Sequence, residues 1–160
     1  MKKAPVTPAV RALRAAKVEF SDHLYTYEER GGTSVSSREL GVPEHEVIKT
    51  LVFQDEQGKP LIVLMHGDLQ VSAKELARVA GLRSLEPCRP EVAEKHTGYR
   101  VGGTSPFGLR KAIPVFAQDS VRELEAIYIN GGARGYLVRL RVVDLERVLE
   151  PRWVSVAQPG

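Results

Sequence analysis

Cysteine is nearly missing from this chain: one residue, Cys88, in 160. That excludes an internal disulfide and the Cys-rich zinc sites. Long apolar runs are missing too. The longest candidate, Pro60 to Met65, is strand-sized and far below the roughly 18 residues of a membrane span. No apolar stretch follows Met1-Lys2-Lys3-Ala4-Pro5, so the N-terminus does not read as a secretory signal. Linkers, repeats and low-complexity segments are absent as well. What is present is a hydrophobic fraction of 42%, which excludes a largely disordered chain and suffices for a core at this length. One domain over residues 1–160, in a reduced cytoplasmic protein, is the expectation.

Charge of one sign is missing locally. The chain has 23 Lys and Arg against 20 Asp and Glu, a net +3. No acidic residue occurs from Lys95 to Gln118, where Lys95, Arg100, Arg110 and Lys111 fall, or from Ala126 to Val143, where Arg134, Arg139 and Arg141 fall. With those seven cations set aside, 16 basic residues face 20 acidic ones in the remainder. A mildly acidic body with a basic C-terminal half suits a polyanionic partner or a plain solvated face, and is too weakly basic for tight nonspecific nucleic-acid binding.

Short elements of both kinds alternate. Thr7-Pro8 predicts a capped helix start. An extended segment is expected from Val18 to Tyr27, and after Gly31-Gly32 a short helix ending near Leu40-Gly41, with Ser36 to Glu39 as its capping box. Pro43 to Val47 reads as one further turn. Lys49–Gln54 and Pro60–Met65 form a hairpin around Asp55-Glu56-Gln57-Gly58. Ser72 to Glu75 caps a helix stopped by Gly81, and Pro90 opens another that ends near His96. Pro114 to Ala117 reads as a strand and Asp119 to Leu124 as a helical turn. Ala126–Asn130 and Tyr136–Val142 pair around Gly131-Gly132, Asp144 caps a last helix, and Trp153 to Val156 closes as a strand. Adjacent strands joined as hairpins among irregular helices predict an α+β fold with a mixed, mostly antiparallel sheet.

Standard chemistries fail on spacing. His23, His45, His66 and His96 never recur at i, i+3 or i, i+4, which disfavours a metal site. Gly103 to Gly108 spaces its glycines as G-x-S-x-x-G, with Pro106 where a nucleophile elbow needs helix. Pro87-Cys88-Arg89-Pro90 is a proline-locked loop without an evident base, and no phosphate loop is present. Two features survive. Lys49 opens an apolar strand; it is a solvated strand end or, at a pocket mouth, a fixed charge for phosphate or carbonyl oxygen. The glycine clusters at Gly102-Gly103 and Gly131-Gly132 are tight turns. The first has more glycine than one turn requires, and its backbone could approach a ligand oxygen closely.

Val47-Ile48-Lys49-Thr50-Leu51-Val52, Thr97-Gly98-Tyr99-Arg100-Val101-Gly102-Gly103-Thr104-Ser105-Pro106-Phe107-Gly108 and Ile127-Tyr128-Ile129-Asn130-Gly131-Gly132-Ala133-Arg134-Gly135 occur in this order. Together they resemble the YbaK/EbsC family of aminoacyl-tRNA deacylases, in particular the branch that acts on Cys-tRNA(Pro), over about residues 7–149. The resemblance implies a curved mixed sheet with flanking helices, related to prolyl-tRNA synthetase editing domains, and hydrolysis of the ester joining a wrong amino acid to tRNA. It places the essential lysine on Lys49 and the glycine loop on Gly102, Gly103, Ser105 and Pro106. Tyr27, Thr50, Asn130, Gly131 and Gly132 fall in the substrate pocket, and Lys95, Arg100, Arg110, Lys111 and Arg134 against the tRNA acceptor end. Prolyl-tRNA synthetase is the implied docking partner; neither a metal nor another cofactor is implied.

Two departures concern the pocket: relatives usually carry aromatic-Gly-x-Glu-Ala-Ala where Gly32 to Ser37 stand, and a serine where Asn130 stands. Ala in place of Cys as the amino acid, a non-catalytic binder of tRNA 3′ ends, and a small-molecule esterase stay open as alternatives.

Overall fold

The computed structural model describes residues 3–160, so Met1 and Lys2 of the charged N-terminal stretch lie outside the described residues. Helix α1 (Pro8–Ala15) begins where expected: Thr7 Oγ1 accepts from the Val10 N–H at 3.0 Å. The same hydroxyl donates to Gly131 O at 2.5 Å, so one side chain caps the helix and ties it to a strand more than a hundred residues later. Strand β1 (Phe20–Leu24) follows, then helix α2 (Gly32–Leu40). That helix starts a full turn before the expected capping box. Ser36 lies mid-helix, buried, with its hydroxyl donating back to Thr33 O, so Ser36 to Glu39 caps nothing.

A turn at Glu44–Glu46 leads into the hairpin of β2 (Val47–Asp55) and β3 (Pro60–His66). β4 (Leu69–Val71) precedes helix α3 (Ala73–Ala80), capped by Ser72 Oγ on the Glu75 N–H. β5 (Leu85–Pro87), helix α4 (Pro90–Thr97) and β6 (Val115–Gln118) come next. The chain closes with β7 (Ala126–Ala133), β8 (Tyr136–Arg141), helix α5 (Val142–Leu149), β9 (Arg152–Val154) and β10 (Ala157–Pro159). Helix α5 starts before Asp144, which pairs with Arg147 instead of capping.

The main sheet runs β1-β8-β7-β2-β3-β6-β9, with β5 added to β2 and β10 pairing β4 separately. It is mixed: β2–β7, β3–β6 and β6–β9 are parallel and the other pairs antiparallel. One face packs under α1 and α5, through Ile48, Ile62, Leu64, Ile127, Ile129, Val138 and Leu140 against Val10, Leu13 and Leu145. At the β2–β3–β6 end the other face is also covered, by Leu76 of α3 on Phe53, Leu61, Val63 and Met65. β3 is therefore buried on both faces, which accounts for its unbroken apolar run. At the β1–β8–β7 end the second face stays open, and β8 there shows Arg139 and Arg141 to solvent.

The second hairpin corrects the sequence reading. Gly131 and Gly132 are not its turn, which falls at Arg134-Gly135. They form a bulge inside β7, where the register shifts between Asn130 and Ala133. Asn130 Oδ1 accepts from the N–H groups of Gly132 and Ala133 at 2.7 and 3.1 Å, and Gly132 has φ +98°. An amide side chain thus satisfies donors that a regular ladder would have paired.

Candidate active site

The bulge leaves a gap in the sheet. Along one edge β2 meets β7 only at Val47 and Ile48, and β5 only from Phe53 to Asp55. In between, the Cys88 N–H donates to Val52 O, and on this edge no strand among the described residues pairs with Thr50, whose other side is held by Leu64 of β3. Thr50 Oγ1 is buried there without a hydrogen-bond partner among the described residues. A buried hydroxyl without a partner costs about 1–3 kcal/mol, so an orphan at a sheet gap marks a place where a ligand atom is accommodated.

Lys49 sits beside this gap with its side chain on the opposite sheet face from Thr50, because strand side chains alternate. The pair therefore flanks the strand and does not line one wall. Lys49 Nζ donates to Gly67 O at 3.4 Å. Burial lowers its pKa, while Glu44 and then Asp68 oppose that shift. Extending the β2–β7 register by one step sets Lys49 next to Asn130 on the same face.

Asn130 joins the two glycine segments. Its Nδ2 donates to Gly102 O at 3.1 Å while its Oδ1 holds the bulge. Gly102 has φ +88°, and a Cβ there would stand 2.5 Å from the Tyr27 hydroxyl. A Cβ on Gly103 would fall 2.9 Å from the backbone of Ala133 and Arg134. The structure thus brings Lys49, Gly102, Gly103, Tyr27, Asn130, Gly131 and Gly132 to one end of β7. Arg134 belongs with them: its Nε donates to Val101 O at 2.8 Å and its guanidinium lies 5.0 Å from the Tyr27 ring centroid.

Several assignments differ in detail. The Gly103 N–H is committed to Arg100 O at 2.8 Å and is not free for an oxyanion; Gly103 is there because nothing larger fits against the hairpin turn. Gly102 retains an N–H without a backbone partner among the described residues. Ser105 is fully buried and its Oγ accepts from the Phe107 N–H at 3.2 Å, a turn-stabilising bond that leaves no accessible nucleophile. Pro106 is buried beside it. Tyr99, absent from the expected site, holds this loop from below: its phenol donates to Phe107 O at 2.5 Å, and burial pushes its pKa up to about 12. A buried tyrosine between two glycine stretches is legible as core, but its hydroxyl partner is not.

Of the expected tRNA contacts, Lys95, Arg110 and Lys111 gather at the C-terminal end of α4, where the Arg110 guanidinium donates to Lys95 O. Arg100 is exposed on the glycine loop.

Spacing also missed a cluster that only the fold assembles. Donor atoms of His45, His66 and Asp68 lie within 4.8 Å of one another. His45 Nδ1 meets Asp68 at 2.9 Å, while His66 engages both ring nitrogens, with His45 O and with Ser120 Oγ, each at 2.7 Å. The two imidazoles stack at 3.7 Å and 5°, so in-plane lone pairs do not converge on one point. This geometry is that of a locked turn under Lys49.

A family model described as the aminoacyl-tRNA editing domain matches residues 29–148, and the chain belongs to that family. It is similar to a protein of Enterococcus faecalis provisionally named Cys-tRNA(Pro)/Cys-tRNA(Cys) deacylase EbsC, 28% identical over 135 residues that cover 84% of this chain and 82% of that one. A proline–tRNA ligase of Nitratidesulfovibrio vulgaris is 35% identical over 142 residues, 88% of this chain but 23% of the ligase. The chain thus spans less than a quarter of that larger enzyme. Among solved structures, one provisionally described as a trans-editing enzyme for prolyl-tRNA synthetase superimposes with a TM-score of 0.81 at 19% identity, covering 96% of this chain and 99% of that one. At that identity the likeness concerns the fold. No helix among the described residues is long and apolar enough to cross a membrane.

Proposed function

We propose that residues 1–160 act as one editing unit that hydrolyses mischarged aminoacyl-tRNA, with Cys-tRNA(Pro) as the preferred substrate. The observation that carries this reading is the gap beside β2: an orphaned Thr50 hydroxyl on one side, Lys49 on the other, and the Gly102 loop closing over it. In this reading Lys49 anchors the terminal phosphate or adenosine and positions the ester. The free Gly102 N–H donates to the oxygen that gains charge as the ester carbonyl is attacked, a contribution of about 100- to 1000-fold for a well-placed donor. The nucleophile is water, giving amino acid and the free ribose hydroxyl. For a cysteinyl ester the alternative is the substrate's own thiol, which attacks the carbonyl, releases the ribose oxygen as a free hydroxyl and forms a cyclic thioester of cysteine that water then opens.

No residue positioned as a triad is needed, because an aminoacyl ester is already an activated acyl group. Thiol participation would also supply discrimination that a pocket cannot, since one methylene is worth only about 1–3 kcal/mol. The basic residues at the end of α4 (Lys95, Arg110 and Lys111) and Arg100 on the glycine loop would hold the acceptor stem weakly, with prolyl-tRNA synthetase as the docking partner that adds affinity. The test is release of labelled amino acid from Cys-tRNA(Pro), Ala-tRNA(Pro) and Cys-tRNA(Cys). Release from Cys-tRNA(Pro) at least about tenfold faster than from Ala-tRNA(Pro) supports the assignment. Faster loss of Ala overturns the amino-acid choice, and no release from any of the three overturns the activity.

A further inference from the structure

His23, Tyr128 and Arg139 on the open face of the β1–β8–β7 ribbon play no part in the chemistry above. Ser21 of β1, Arg139 of β8 and Tyr128 of β7 stand in one row across the three strands. Paired residues share a face, and this one is opposite Ile127, Ile129, Val138 and Leu140 of the core. His23, one step along β1, sets its ring edge-on to Tyr128, with centroids 5.1 Å apart at 78°. The Arg139 guanidinium lies 5.7 Å from the Tyr128 ring centroid.

The row leads toward the site. Beyond the end of β1, Leu24, Tyr25, Thr26 and Tyr27 line an open cavity of about 470 Å³ together with Arg134 and Gly135. On the other side, Val47 pairs with Tyr128, so Lys49 stands one step further along the same face. Within β1 the one carboxylate, Asp22, turns to the core side and accepts from the Tyr136 hydroxyl at 2.5 Å. Burial first and the Arg139 charge second lower the His23 pKa, against an opposing pull from Asp22.

We propose that this face, built from His23, Tyr128 and Arg139 and continued by the Tyr25–Tyr27–Arg134 cavity, is a stacking track for the single-stranded 3′ end of an RNA whose terminal nucleotide enters the Lys49 gap. The proposal rests on the deacylase reading for its direction, since the ester lies at that terminus. Aromatic rings on a sheet face, interleaved with arginine, recognise unpaired bases by stacking and cation–π contact, and tolerate sequence; the rings of His23, Tyr25, Tyr27 and Tyr128 are half-buried. The Arg139 and Arg134 guanidiniums, each beside an aromatic ring, complement the phosphates between the bases.

The experiment measures affinity for a fluorescent RNA hairpin with a four-nucleotide 3′ overhang ending in CCA, beside the same hairpin made blunt. The full chain, its Tyr128→Ala and Arg139→Gln variants and, as a comparator, Lys49→Ala are used. Arg139 is exposed, so its variant tests the track even if loss of Tyr128 perturbs the strand. Wild type should bind the overhang at least tenfold more tightly than the blunt hairpin, and each track variant should lose roughly tenfold on the overhang alone. Equal binding by wild type and both variants, or equal binding of blunt and overhanging RNA, overturns the track. Amino-acid release by the same wild-type preparation separates the two ideas. Release with unaltered variant binding sinks the track and leaves the deacylase, whereas overhang binding that needs Arg139 without any release sinks the deacylase and leaves the track.

Discussion

A Lys49→Ala variant is expected to fold as wild type does and to deacylate at least about 100-fold more slowly. The ammonium is half-buried and, among the described residues, makes one long hydrogen bond, to Gly67 O at 3.4 Å, and no ion pair. Its removal should therefore change stability by no more than about 1 kcal/mol. The electrostatic change is larger than the structural one. Glu44 and Asp68 are the charges that oppose the lowering of the Lys49 pKa, and without the lysine they face the gap unneutralised. A site that attracted a phosphate or a developing oxyanion would then repel it. Lys49→Arg should not rescue, because a planar guanidinium cannot reproduce a compact point charge beside the narrow gap. Single-turnover release of amino acid, with a thermal melt in parallel, checks both halves. Activity within threefold of wild type would remove Lys49 from the mechanism.

The second large effect is expected at Gly102. Its φ of +88° is one that side-chain-bearing residues avoid, and a Cβ would sit 2.5 Å from the Tyr27 hydroxyl and 2.8 Å from its ring. Gly102→Ala must either flatten the loop or push Tyr27 away, and Tyr27 carries the Arg134 guanidinium. Backbone strain of about 1–3 kcal/mol should lower the melting temperature by roughly 3–10 °C. The Gly102 N–H would swing away from the gap, and a displacement near 1 Å is worth about 100-fold in rate. A Gly102→Ala protein with a lowered melt but full activity would show that this amide is not the oxyanion donor.

How far the sequence could be read depended on whether the determinants were local. Thr7-Pro8, Ser72 with Glu75, and the Asp55–Gly58 turn each act within four residues, and all three appear in the structure as expected. Gly131-Gly132 misled because the same dipeptide serves a hairpin turn and a bulge. The choice between them is made by Asn130, whose carbonyl oxygen takes two N–H groups that a turn would have used otherwise. β5 and β10 have three residues each, too few for any alternation to register, and exist because β2 and β4 have edges to fill. The site was legible as residue types around Lys49 and Gly102. The commitment of the Gly103 N–H, the face on which Thr50 lies and the His45–His66–Asp68 contact are all tertiary, and no spacing rule carries them.

The position of β1 has a bearing on synthesis. Leu24 pairs with Tyr136, and the Thr7 hydroxyl holds Gly131. A ribosome adding roughly 5–20 residues per second needs several seconds to supply those partners. Until then the first strand has no neighbour, and Tyr27, Lys49 and Gly102 have no bulge to gather around. The nascent chain therefore cannot cut the ester linkages of the aminoacyl-tRNAs crowded around it, and catalytic competence arrives only after β7 and β8 have emerged.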